Sequence, residues 1–204
     1  MAMAHQAHPA DSGRGAHHDT RSRLREVALE LFAEQGYEKT SLREIAERLG
    51  VTKAALYYYF KSKEDIVRSL VEDYVAALDE LIAWAQPQPR TVAVRAEIVR
   101  RYLRIVAGGA EVLRMLHQNQ AAVASLASAK ERGEVFRERM DLLIELLTEP
   151  GATLHDQVRA ASALMSVSFC TLRYAGHAAS QDELEQALMD VALELVDAAP
   201  ATAR

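Results

Sequence analysis

Residues 41–63 read SLREIAERLGVTKAALYYYFKSK, and the reading of this stretch decides the fold. In its first part Leu42, Ile45, Ala46 and Leu49 recur at helical spacing, and Ser41 with Glu44 matches the S-x-x-E capping box that fixes a helix start. Gly50 then supplies a tight turn, because glycine tolerates backbone angles that other residues avoid. The second part opens on Thr52 as N-cap and buries Leu56 and Phe60, four residues apart. Lys53, Ala54, Ala55, Tyr57, Tyr58 and Tyr59 are left around the remaining surface. Helix, glycine turn and a second helix with a polar, aromatic and basic face is the pattern of a helix-turn-helix.

Working outward, Leu24, Val27, Ala28, Leu31 and Phe32 follow i, i+3, i+4, i+7, i+8, and Gly36 suits the position just past a helix end at Gln35. This helix closes a three-helix N-terminal domain. Residues 1–19 lack periodicity and hold four of the seven histidines, so a disordered arm is expected. The functional alternatives there are an arm reaching the minor groove through Arg14, or metal capture by the histidines. On the other side, Ser62 caps a long helix in which Glu64 and Asp65 suit the positive end of the helix dipole. Ile66, Val67, Leu70, Val71, Tyr74, Leu78, Leu81 and Ile82 keep its spacing to Trp84, about 22 residues or roughly 33 Å.

After the break at Pro87 and Pro89, helices are expected over about 90–107, 110–119, 130–147, 153–175 and 180–198, with Gln120–Ala129 either helix or irregular joint. The expectation is an all-α chain of about nine helices. It divides into a 1–19 arm, a 20–66 helix-turn-helix domain and a larger 67–204 helical bundle.

Formal net charge is −5, yet residues 1–66 balance 10 Lys+Arg against 10 Asp+Glu, and the whole excess of acid falls in 67–204. Four of the five lysines, Lys39, Lys53, Lys61 and Lys63, lie in or beside the opening stretch. A local basic rim of this kind suits phosphate binding, while a uniform basic field is missing. The single cysteine, Cys170, excludes an intrachain disulfide and offers no zinc constellation. With no apolar run of membrane-spanning length, a cytoplasmic protein with no membrane partner is expected.

The run from Leu24 to Ile66 resembles the DNA-binding domain of the TetR family of transcriptional regulators, through ALELFAEQGY at 28–37, TSLREIA at 40–46 and LYYYFKSKE at 56–64. The resemblance implies a double-stranded DNA operator as partner. It makes Thr52, Tyr57, Tyr59 and Lys63 phosphate contacts, sets Lys53, Ala54 and Ala55 over the bases, leaves Tyr58 touching either, and brings Ser41 to a phosphate. Arg43 is either a bidentate guanine contact or a solvated arginine. The family often carries polar residues where this chain has Ala54 and Ala55, so specificity rests more on Arg43, Lys53, Tyr58 and DNA shape.

The last two segments carry seams at helix-packing spacing: Val158, Ala161, Met165, Ser168 and Leu172, then Leu184, Leu188, Val191 and Leu195. These read as intrachain core or as a homodimer interface, and the resemblance favours the homodimer. It also implies a pocket for a small-molecule effector of unknown identity, whose binding tilts the long helix and releases DNA. Trp84, Tyr102, Met115, His117, Phe136, Met140, Phe169, Arg173 and Tyr174 are the candidate lining residues, each otherwise plain core or surface. Their character suggests an aromatic or lipid ligand.

A regulator switched by a protein partner, or unswitched, is the alternative. An all-helical enzyme is the remote one, since no His has a carboxylate three residues before it, and Glu134, Glu138, Asp141 and Glu145 alternate with Arg137 and Arg139 as a solvated face. No cofactor and no metal site is expected.

Overall fold

The computed structural model describes residues 12–118, 129–174 and 180–197. Nine helices and no strand occur among them: α1 Ser12–Gln35, α2 Leu42–Leu49, α3 Lys53–Tyr59, α4 Lys63–Ala85, α5 Val92–Gly108, α6 Ala110–Gln118, α7 Ala129–Leu147, α8 Leu154–Tyr174 and α9 Gln181–Asp197. The expected all-α architecture is present. Residues 119–128, which include most of the expected soft joint, lie outside the described residues.

The chain divides into two compact units, Met1–Leu70 and Val71–Arg204, and the division falls inside α4. In the first unit α1 packs on α2 and α2 on α3. Leu24, Ala28, Leu31, Phe32, Ile45, Ala46, Leu56 and Phe60, which the helical spacing selects, are buried, as is Tyr37 in the α1–α2 loop, while Val27, Leu42 and Leu49 are half-buried. The hydroxyl of buried Thr40 donates to the Gly36 carbonyl at 2.9 Å, which satisfies the end of α1 without water. One expectation is corrected: α1 begins at Ser12, so residues 12–19 are helical and not a disordered arm. Once burial of Leu24, Ala28 and Phe32 sets the helix, each further residue adds a hydrogen bond without a new nucleus.

The core of the second unit is built by Leu78, Leu81, Ile82, Ile98, Val99, Tyr102, Leu103, Val106, Leu143, Leu147, Leu164, Val167, Leu188 and their neighbours. α9 packs most extensively on α8, and α5 packs on both. Two arginines tie the elements together at their ends. Arg90 donates to the carbonyls of Glu145 and Thr148, covering the open C-terminus of α7. Arg139 pairs with Asp79 at 2.9 Å and so joins α7 to α4.

α5 and α6 meet at Gly109 because Tyr74 lies against that backbone: a Cβ there would stand 2.7 Å from Tyr74 Cδ2. Gly109→Ala should therefore destabilise by about 1–3 kcal/mol through overpacking. Gly108→Ala, whose added methyl meets nothing within 4 Å, should be close to neutral in the same urea titration.

Candidate nucleic-acid interface

The reading unit is capped at every end that its residues expose. Ser41 and Glu44 form the reciprocal capping box, with the Ser41 N–H donating to the Glu44 carboxylate at 2.7 Å and the Glu44 N–H to Ser41 Oγ at 3.2 Å. Gly50 adopts φ 75°, ψ 25°, the left-handed turn between α2 and α3. Thr52 Oγ1 accepts from the Ala55 N–H at 3.1 Å and starts α3. At the other end the Lys61 ammonium donates to the Tyr57 carbonyl at 2.8 Å. Ser62 Oγ then accepts from the Asp65 N–H at 3.2 Å, starting α4.

Leu56 is fully buried and Phe60 is 2% exposed, which fixes the rotation of α3. Its outward face consists of Thr52, Lys53, Ala54, Tyr57 and Tyr58, with Tyr58 at 71% exposure and Tyr57 at 38%, while Ala55 and Tyr59 are half-buried. The Tyr58 and Tyr59 rings meet edge to face at 5.1 Å, and Lys53 Nζ lies 5.5 Å from the Tyr57 ring centre. Ser41, Arg43, Lys53, Tyr57 and Lys63 line one open depression with Thr40, Lys61, Ser62 and Glu64. The structure thus draws five of the expected contacts together. Lys61, read in the sequence only as part of the basic rim, lines the same depression.

Like Lys61, Arg43 and Lys63 are already engaged. Arg43 Nε donates to Glu47 at 2.6 Å on an exposed surface, so base contact requires leaving a solvated ion pair. Lys63 Nζ donates to the Tyr37 carbonyl at 2.6 Å and lies 4.4 Å from the Tyr37 ring centre. The Tyr37 hydroxyl in turn donates to the Glu64 carboxylate at 2.8 Å. Lys63 and Glu64 therefore clasp the α1–α2 loop to the start of α4. Burial, followed by the contact with Glu64, pushes the Tyr37 phenol well above its ordinary value. For Glu64 burial acts upward, but hydrogen bonds from its own backbone, Ser62 and Tyr37 outweigh it and hold the carboxyl below the usual range. Glu44 is held low by the Ser41 hydroxyl and then the Ser41 N–H.

In the second unit the expected pocket residues are dispersed. Tyr102 is fully buried and shares a 2.6 Å hydrogen bond with Ser168, Met115 is buried, and Met140 accepts from the Tyr102 hydroxyl at 3.9 Å. Phe136 stacks near Tyr74 at 6.3 Å, and Trp84 lies under the Arg101 guanidinium at 3.8 Å. Phe169, Arg173 and Tyr174 correct the expectation: they are exposed, because Leu164, Val167, Ser168 and Thr171 take the inner side of α8. The His117 side chain lies outside the described residues. Two concavities flank the Thr148–Thr153 turn, with Arg95, Glu149, Asp156, Arg159 and Asp197 around one and Arg90, Asp141 and Glu145 on the other. Neither is lined by any of the expected pocket residues.

The two seams are also redistributed. Leu188 is buried, Leu184 and Leu195 pack on the core of their own unit, and Ser168 bonds inward to Tyr102. These four belong to the chain's own packing. Val158, Met165 and Val191 stay exposed, Ala161 and Leu172 are half-buried, and Leu154 and Phe169 extend the open apolar surface of α8.

Residues 24–70 match the family described as bacterial regulatory proteins, tetR family. These residues form a tetR-family regulatory domain, which spans about a quarter of the chain. It is 43% identical over 63 residues to the HTH-type transcriptional regulator AcrR of Shigella flexneri, covering 31% of this chain and 29% of that one. It is 26% identical over 125 residues to the fatty acid metabolism regulator protein of Bacillus subtilis, 61% and 64% of the two chains. The chain thus matches less than two thirds of the length of either relative. Among solved structures, the TetR family regulator PfmR from Thermus thermophilus has a TM-score of 0.69 at 21% identity, over 89% of this chain and all of that one, a likeness of fold. A TetR/AcrR family regulator from Thermobifida fusca has a TM-score of 0.55 at 27% identity, over 90% of this chain and 100% of that one.

The depressed Glu44 carboxyl gives a pH signature. Its stabilisation is complete above the ordinary glutamate value of about 4.3 and is lost as pH falls through the lower folded value. Thermal melts from pH 7 to pH 3 should show Glu44→Gln less stable at neutral pH and flatter in acid than wild type, so that the two curves converge.

Proposed function

We propose that the chain is a ligand-responsive transcriptional repressor that binds a near-palindromic operator as a homodimer. The carrying observation is the doubly capped α2–α3 pair, which turns Thr52, Lys53, Tyr57 and Tyr58 outward beside Ser41, Arg43 and Lys61. Hydroxyls and ammonium groups around a short helix suit phosphates on either side of a major groove. Ala54 allows close approach of the backbone but reads at most a thymine methyl, which leaves base recognition to Arg43, Lys53 and Tyr58. The Arg43–Glu47 pair is exposed and therefore weak, so exchanging Glu47 for guanine costs little.

Dimerisation is supported by the exposed apolar side of α8, where Leu154, Val158, Met165 and Phe169 follow one another at helical spacing, with Val191 on α9. Soluble chains seldom leave such a run uncovered. An aromatic or lipid effector in the second unit, releasing DNA, completes the proposal, and the relative named as a fatty acid metabolism regulator protein supports that class.

Selection of bound duplexes from a random pool should recover a near-palindrome with half-sites about one helical turn, roughly 34 Å, apart. Arg43→Ala should then lose about 1–3 kcal/mol of discrimination at one base pair per half-site while keeping most non-specific affinity. Recovery of an asymmetric single half-site, or unchanged selectivity in Arg43→Ala, would count against the reading. Met165→Asp should shift the protein from dimer to monomer in light scattering and weaken operator binding; an unchanged mass would remove α8 from the interface.

A further inference from the structure

Several carboxylates of the first unit fix a helix end or join two elements. Glu44 closes the start of α2 through Ser41 at 2.7 Å, and Glu34 joins α1 to α2 through Arg48 at 2.8 Å. Glu64 accepts from the Tyr37 hydroxyl at 2.8 Å, and Asp65 accepts from the Lys61 N–H at 3.0 Å ahead of α4. Glu47 has a different place. It meets Arg43 of its own helix at 2.6 Å, with 59% of its side chain and 76% of that of Arg43 exposed.

The pair does little for α2. A cation four residues ahead of an acid is the less favourable order along a helix, and Glu47 lies in the last turn, where unpaired carbonyls disfavour a negative charge. An exposed pair of this kind shifts an equilibrium by a factor of about five at most. Its arginine, however, lines the depression that also holds Lys53 and Tyr57, and it is the residue that the proposed function sets over the bases. Glu47 and a backbone phosphate are alike as partners for that guanidinium, since both are anionic oxygen acceptors. Exchanging one for the other gains little. Guanine differs, because O6 and N7 together engage the planar fork and favour the correct base over a wrong one by about 5- to 100-fold.

We infer that Glu47 is a specificity-determining residue that acts by competition, holding Arg43 on duplexes that offer it only phosphates and releasing it where guanine is presented; the inference rests on the operator-binding reading, with Arg43 as a base contact. Specificity is a difference between affinities and rises when the wrong target is disfavoured. On non-operator DNA the pair stays closed, so one cation is withheld from the phosphates and affinity falls. On the operator the guanine contact outweighs the pair. The released carboxylate, being exposed, returns to water, and in this role Glu47 needs no contact with a base.

The test uses the full chain, its selected operator and a scrambled duplex of equal length and composition, with affinities measured by fluorescence anisotropy across salt concentrations. Glu47→Ala should bind the scrambled duplex about 2- to 5-fold more tightly than wild type, with a slope of log affinity against log salt steeper by about 0.9, one added phosphate contact. Operator affinity should rise by less, so the ratio of the two affinities falls. With Arg43→Ala already in place, Glu47→Ala should change both affinities by one common factor, the relief of simple repulsion, and leave their ratio alone. A common factor when Arg43 is present overturns the inference, as do unchanged affinities or an equal fall in the ratio when Arg43 is absent. Weaker operator binding with unaltered scrambled affinity would make Glu47 a support for Arg43 and overturn competition too. Failure of the operator-binding reading would show separately, as no selectivity in wild type or none lost in Arg43→Ala.

Discussion

A reading helix of seven residues has no stability of its own, and that constraint governs the first unit. An isolated helix of this length does not survive in water, because nucleation costs more than so few hydrogen bonds return. α3 persists because Leu56 and Phe60 are buried, Thr52 closes its start, and Lys61 covers a carbonyl near its end. Every one of these contacts faces inward or along the axis. What is left to face outward is the set of hydroxyls, ammonium groups and small side chains that DNA requires, so the stability of the helix and its chemistry are assigned to different sides of it.

The same economy holds at the start of α4. Lys63 and Glu64 are consecutive, and between them they take the carbonyl and the hydroxyl of Tyr37. Tyr37 also packs its ring on Phe32 at 5.1 Å, so α1, the loop after it and α4 share one anchor. A phosphate contact from Lys63 would compete with that anchor. Under the proposed reading, DNA and the start of α4 would compete for this one ammonium group.

In the second unit the buried hydroxyls of Tyr102 and Thr171 are both hydrogen-bonded. Tyr102 is fully buried, so its hydroxyl must find a partner, and Ser168 provides it. Tyr74 approaches Gly109 closely enough that only hydrogen fits there. These contacts knit α4, α5 and α8 by shape as much as by burial. They also show why large side chains in an apolar bundle are weak evidence for a pocket: Tyr102 and Met115 fill space that a ligand would need.

Helix ends were legible in the residues because their signals are local: Ser41 with Glu44, Gly50, Thr52 and Ser62 each act within a turn of chain, and the structure has each in its expected role. The buried face of α3 was legible for the same reason. The start of α1 was not, since helix propagation from a packed segment overrides a weakly patterned one. Nor was the partner of Lys63, which lies 26 residues away in the chain. On α8 and α9 the spacing correctly indicates helices with apolar faces, but a helix with apolar residues on two sides offers no local clue to which side its own chain covers. Val158 and Met165 remained open while Ser168 and Leu188 went inward. The sequence by itself determined the elements, their caps and the family pattern of the reading helix, because these depend on neighbours three or four residues apart. Only the tertiary structure decided which partners hold the cations of the reading unit and which apolar faces its own chain leaves uncovered, because these depend on what packing brings alongside.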